Sequence, residues 1–196
     1  MSEYFDENLD EYNVQALMLA EVIKRILERK AEIQLSGPSQ FIRKPISEFM
    51  KKMRVSSVEK FDTATYIATI NFFKDYTDFN EGRPVGTLIL YIEGNYIGEL
   101  MAKLKYTLED EDDQNELEAA CGTFCNLIAG NFKSGLAQLG YPGLEMSHFS
   151  TYHNDVFEGV PYPVEQKEKY EIAFEIKGKI KIYADLIMGK IPRIKD

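Results

Sequence analysis

The sequence predicts an α+β protein, an α/β sandwich in which two long helices pack on a mostly antiparallel sheet of about six strands. Three observations carry this. Two stretches, one near the N-terminus and one past the middle, repeat apolar residues at helical spacing. Two others, Thr63 to Phe73 and Val85 to Glu93, are dense in Thr, Ile, Leu and aromatics, the composition of a pleated, half-buried surface. The tail alternates apolar and polar residues on both sides of a glycine.

Taken in order, Asn13 is a suitable N-cap for a first helix over 13–35. Val14, Leu17, Met18, Val22, Ile26 and Ile33 form its stripe, widened by Leu19, Ile23 and Leu27. "LSGPSQ" from Leu35 to Gln40 ends it. A connector over 37–61 follows, in which "KPISEFMKKM" reads as a short helix with Pro45 near its start. The two β-rich runs come next, joined by the turn-forming "DYTDFNEGRP". Gly94 to Leu104 turns helical, and the acidic run Glu109 to Asp113 complements the dipole at the start of the main helix. "GYPG", Gly140 to Gly143, stops that helix, and Leu144 to Phe157 holds a strand before a Pro-interrupted loop. In the tail, Tyr170, Ile172, Phe174 and Ile176 alternate with Glu171, Glu175 and Lys177; beyond Gly178, Ile180, Ile182, Ala184 and Leu186 alternate with Lys181, Tyr183 and Asp185. This predicts an antiparallel hairpin with one face in water. The chain reads as a single domain over 1–196, with a core over 63–189 on which the first helix packs. An open sheet edge near the hairpin would let a second copy pair, which is the ground for expecting a homodimer.

Composition excludes several classes. The 196 residues carry a formal charge of -9, which argues against nucleic acid as a partner. No run approaches the ~18 apolar residues of a membrane span, and the acidic N-terminus is no signal peptide, so a soluble cytoplasmic protein is expected. Cys121 and Cys125 are too few to close a structural zinc site, and they read as small buried thiols in a reducing compartment. No metal ligand set is expected. Glu109 to Asp113 lacks the spacing and glycine of a calcium loop. His148, His153 and Asp155 have no serine elbow nearby.

The main helix carries the functional signal. At ~100° per residue, Leu117, Cys121, Phe124, Ile128 and Phe132 share a narrow arc, a core stripe whose larger members contribute on the order of 1.5–3 kcal/mol each. Opposite lie Ala119, Gly122, Asn126 and Gly130, with Thr123 at the margin. A solvated face would carry Glu, Lys and Arg. Here two glycines each cost roughly 1 kcal/mol against Ala, which calls for a close approach by something else. Another element of the same chain could pack there, or a partner could dock with Asn126 projecting into it. An amide is neither nucleophile nor base, but it can hold a water by donating and accepting at once.

"AACGTFCNLIAGNFKSGL", and "NLIAGN" (Asn126 to Asn131) within it, resembles the signature helix of the CheX/CheC family of chemotaxis phosphatases, related to the middle domain of flagellar switch proteins. The order of elements from Thr63 to Gly189 also follows that family. The resemblance implies a sheet of about six strands under two long helices, and hydrolysis of the aspartyl phosphate on a CheY-like receiver domain. It implies that the motif Asn enters the receiver's site and orients the attacking water, that a Glu three residues before it pairs with a receiver lysine, and that the receiver supplies Mg²⁺, so that this chain holds no cofactor of its own. Asn126 takes the Asn position, Thr123 stands where the Glu would be, and Ala119 takes the upstream acidic position. Glu118 lies about two turns away, ~12 Å along the axis, and cannot substitute. No second Glu-x-x-Asn occurs on the first helix, where Glu21 and Glu28 are followed three on by Lys24 and Ala31.

Three expectations follow. The chain hydrolyses a receiver's aspartyl phosphate, with Asn126 as the catalytic residue and Ala119, Gly122, Thr123 and Gly130 on the contact face. Alternatively, without the carboxylate, it binds a receiver or assembles with partners but turns nothing over. Without the resemblance, the glycine-lined face reads as a homodimer seam.

Overall fold

A computed structural model describes residues 11–57, 60–110 and 112–194. The acidic segment 1–10, Glu111 of the acidic run, and Val58 and Glu59 of the connector lie outside the described residues. No helix among those described is long and apolar enough to cross a membrane.

Helix α1 (Glu11–Arg29) begins two residues before the expected cap, so Asn13 sits inside its first turn. There the Asn13 side-chain oxygen accepts a hydrogen bond from the Tyr170 hydroxyl. The chain leaves α1 through Glu32 at φ 54°, with the Ile33 N–H donating to the Leu27 carbonyl at 2.9 Å.

The stretch expected to be a short helix is instead three strands: β1 (Gln40–Pro45), β2 (Glu48–Phe49) and β3 (Lys52–Ser56). The misreading has a physical origin. Ile46, Phe49, Met50 and Met53 fall at helical spacing, but Met53 and Val55 are the pair that is buried, at 0% and 1% exposure, and they alternate with exposed Lys52, Arg54 and Ser56. Met50 and Lys51 close the β2–β3 turn with φ of 50° and 60°, left-handed values usually filled by Asn and Gly. The turn therefore lacks the residues that announce one.

The remaining elements are β4 (Thr65–Phe73), α2 (Tyr76–Asn80), β5 (Gly86–Glu93), α3 (Ile97–Lys103), α4 (Gln114–Gln138), β6 (Glu145–Met146), β7 (Ser150–His153), β8 (Val156–Val160), β9 (Glu168–Ile176) and β10 (Lys179–Met188). Among the described residues, seven strands form one antiparallel sheet in the order β1-β9-β10-β5-β4, with β6 and β7 both on the far side of β4. A smaller sheet joins β2, β3 and β8. Lys177 and Gly178, at φ 53° and 75°, make the two-residue turn between β9 and β10.

The hairpin β9–β10 lies in the middle of the sheet, flanked by β1 and β5. The open edge expected there is closed, because the connector supplies an extra strand; the exposed edge belongs to β1 instead. Nor is one face of the hairpin wet. On one side of the large sheet, Ile70, Phe72, Leu88, Ile172, Phe174 and Leu186 pack with the buried faces of α1, α3 and α4. On the other, Ile67, Ile89, Tyr91 and Ile187 meet Met53, Val55 and Val160 of the small sheet. Glu171 and Asp185, expected in solvent, are 3% and 0% exposed. The molecule is thus three layers, helices, large sheet and small sheet, where two were expected.

Candidate functional site

Helix α4 is fixed at its start by the acidic run. The Asp113 carboxylate accepts from the backbone N–H of Asn115 and Glu116, at 2.7 and 3.2 Å. Glu116 reaches back and accepts from the N–H of Glu109 and Asp110, at 2.7 and 3.2 Å. Asp113 therefore satisfies two orphan donors of the helix N-terminus, and Glu116 ties the preceding loop to it. No group of three or more His, Cys, Asp or Glu side chains that could hold a metal occurs among the described residues.

The inner side of α4 is the apolar stripe read from the sequence. Leu117, Cys121, Phe124, Ile128 and Phe132 are buried, joined by Ala120, Cys125, Ala129 and Leu136. Phe132 meets Phe72 of β4 edge to face, with ring centroids 5.6 Å apart. Burial, with Cys125 and Glu118 nearby, pushes the Cys121 thiol well above its ordinary pKa, and burial does the same at Cys125. Both therefore stay neutral packing groups.

On the outer side, Ala119, Thr123 and Asn126 are exposed and Gly130 is half-buried. Asn126 is at the midpoint of the 25-residue helix, and its amide makes no hydrogen bond to the described residues. The Thr123 hydroxyl donates to the Ala119 carbonyl at 3.0 Å, so its proton is committed to its own helix. Glu118 is half-buried and accepts from the Gln114 amide at 2.9 Å.

The two glycines do not share one cause. Gly122 is buried, and a Cβ built there would lie 2.3 Å from the Phe149 ring. The close approach inferred at Gly122 is thus made by the chain's own β6–β7 loop, and Gly122 lies under Phe149 rather than on the open ridge. At Gly130 none of the described residues comes within 4 Å of the Cβ position. A third glycine, Gly135, is where α1 crosses: its Cβ position is 2.6 Å from the Met18 sulfur. Phe149, 38% exposed beside the ridge, and the exposed His148 next to it are residues that sequence reasoning did not place. Helical spacing orders residues on one helix and says nothing of which loop returns to it.

Comparison with known proteins rests on three-dimensional structure, since no protein-family model and no curated protein matches the sequence. A chemotaxis protein CheX from Desulfovibrio desulfuricans superposes with a TM-score of 0.58 at 12% identity, over 89% of this chain and 99% of that one. A CheC-like superfamily protein from Shewanella sp. PV-4 does so with 0.56 at 15%, over 88% and 95%. A chain of the CheX–CheY–BeF3–Mg complex from Borrelia burgdorferi gives 0.52 at 14%, over 91% and 98%. The chain therefore has the CheX/CheC-like fold over 88–91% of its length.

Proposed function

Given a CheX/CheC-like fold that presents a free amide at the middle of its main helix, we propose that this chain docks on a phosphorylated CheY-like receiver domain and hydrolyses its aspartyl phosphate. The observation that carries the reading is Asn126: exposed, without a hydrogen bond to the described residues, and mounted on a helix whose opposite side is locked into the core. That arrangement suits a group that must enter another protein's site and hold a water in line with a phosphorus atom, because such catalysis is positioning rather than covalent chemistry. The amide would accept from the water with its oxygen or donate to it with its nitrogen. Mg²⁺ would come with the receiver. Ala119, Thr123 and Gly130 would form the contact surface, with Phe149 covering Gly122 at its border.

Thr123 lowers what the site can do. It cannot pair with a receiver lysine, and its hydroxyl proton is already taken by Ala119. Loss of a charged hydrogen bond costs roughly 1.5–3 kcal/mol, about ten- to a hundredfold in affinity. This same geometry favours a second reading, in which the chain binds a receiver without turning it over.

One experiment separates the two. The protein is added to a phosphorylated receiver and phosphate release is followed, with binding measured in parallel. Release faster than the receiver's own decay, returned to that decay by Asn126→Ala, supports hydrolysis. Binding without acceleration supports the silent module. Neither binding nor acceleration with any receiver of the same cell ends both.

A further inference from the structure

The small sheet covers a set of charges that the docking ridge does not use. Glu171 of β9 and Asp185 of β10 are direct neighbours in the sheet, on the face turned away from the helices. Glu171 accepts from the Lys44 ammonium at 2.8 Å and from Lys60. Asp185 accepts from Lys169 at 2.5 Å and from the Tyr91 hydroxyl at 2.9 Å. Lys60 also stands over the rings of Tyr91 and Tyr183, 4.5 and 5.0 Å from their centroids.

A groove of about 420 Å³ opens above these groups, lined by Lys44, Ser47, Arg54, Ser56, Lys60 and Lys169. Four cations and two hydroxyls face it, and among the described residues no carboxylate lines it. The carboxylates lie beneath, at 4% and 0% side-chain exposure, and the lysines lie above them. Three lysines answer two buried carboxylates, and among the described residues Arg54 pairs with the exposed Glu158 at 3.9 Å. In a chain of net charge -9, this is a local excess of positive charge.

A network serving folding alone gains little from this layout, because apolar residues of similar volume stabilise a core as well or better. What the layout does supply is fixed donors. Each ammonium carries three N–H groups, and the carboxylates behind take only some of them. Held from below, the lysines present the rest at little cost in side-chain freedom, which is what a preorganised anion site needs.

We propose that this groove binds a small, multiply charged oxyanion of the phosphate class, either inorganic phosphate or the phosphate group of a small ester. Lys44, Lys60, Lys169 and Arg54 donate to its oxygens, and Ser47 and Ser56 complete the shell. The site is on the opposite side of the large sheet from α4, and it stands whether or not the chain acts on a receiver.

The test uses the full chain, titrated with inorganic phosphate and separately with glycerol 3-phosphate. Ionic strength is held constant with sodium chloride, and amide and lysine side-chain resonances are followed by NMR. Saturable shifts confined to 44–57, Lys60 and Lys169 are expected. Arg54→Gln, at an exposed position outside the buried network, should weaken binding about tenfold, the worth of one charge-assisted hydrogen bond, with the fold unchanged. Lys44→Gln should weaken it as well. Tighter binding of the ester than of phosphate assigns the site to esters, and the reverse order assigns it to the free ion. Shifts that never saturate and spread over surface lysines such as Lys24 and Lys103 would overturn the site. So would an Arg54→Gln protein that binds as tightly as its parent.

Discussion

The two faces of the large sheet are both buried, yet by opposite means. Towards the helices the contacts are apolar: Phe72 on Phe132, Leu88, Ile172 and Phe174 beneath α1 and α4. Away from the helices, apolar side chains alternate with polar ones that are just as enclosed. Asn71 donates to the Thr87 hydroxyl and to the Pro161 carbonyl, at 2.9 and 2.8 Å, and Thr87 donates to the same carbonyl at 2.9 Å. Glu171 and Asp185 meet their lysines a few strands away. The difference teaches that period-two alternation reports two unlike faces and does not say which of them is in water. A Glu opposite a row of Ile is solvated only if nothing brings a Lys over it.

The largest expected effect is on the helix face. Phe132→Ala removes a ring that is 0% exposed, and should cost about 3–5 kcal/mol, read as a lowered denaturant midpoint. A loss of under 1 kcal/mol would mean that α4 is not seated on β4 as described. The charged face should respond less to a comparable insult. Glu171→Gln leaves Lys60, which is 14% exposed, with Asp185 at 3.9 Å and the tyrosine rings in place of its short ion pair, while Lys44 at 44% can turn to water. We expect ~2–3 kcal/mol, below the ~3–5 kcal/mol of a fully enclosed pair.

The two faces should also differ in their response to acid. Burial raises the Glu171 pKa, but hydrogen bonds from Lys44 and Lys60 outweigh it, and the carboxyl is held below its ordinary value. A group depressed in the folded state contributes stability above its unfolded pKa of about 4.3 and loses it as pH falls through the folded value. The gap between the parent protein and Glu171→Gln should therefore be full at pH 7 and close below about pH 4. The Phe132→Ala deficit should keep its size across that range, since no proton is involved. A Glu171→Gln gap that stays constant with pH would mean that the lysines do not hold this carboxyl.

This contrast explains what the sequence made legible. Both long helices and the terminal hairpin follow from apolar periodicity, and β4 and β5 from their β-branched and aromatic composition, signals carried within each short stretch. The connector did not follow. Its Ile46, Phe49, Met50 and Met53 mimic a helical stripe, its turn residues are Met50 and Lys51, and its order comes from pairing with β9 and β8 more than a hundred residues away. The groove was hidden for the same reason, since Lys44, Lys60 and Lys169 meet only after that pairing. Asn126 was legible because exposure on a single helix is a local property. The cover over Gly122 was not, because it arrives from the β6–β7 loop.

The smallest expected effect asks the same question of α4's outer side: which part of a surface read as bare is bare. Gly130 has open space around its Cβ position, so Gly130→Ala should stabilise by about 0.5–1 kcal/mol through the helix alone. Gly122→Ala gains the same intrinsic term but meets the Phe149 ring at 2.3 Å. That ring is 38% exposed and can swing out, giving up contact area worth about 1 kcal/mol, so the two terms offset and the melting temperature should barely change. The Phe149 ring resonances should move in Gly122→Ala and hold still in Gly130→Ala. Equal stabilisation by both substitutions, with Phe149 undisturbed, would show that the loop does not lie on the helix, and the ridge beside Asn126 would then be open over its whole length.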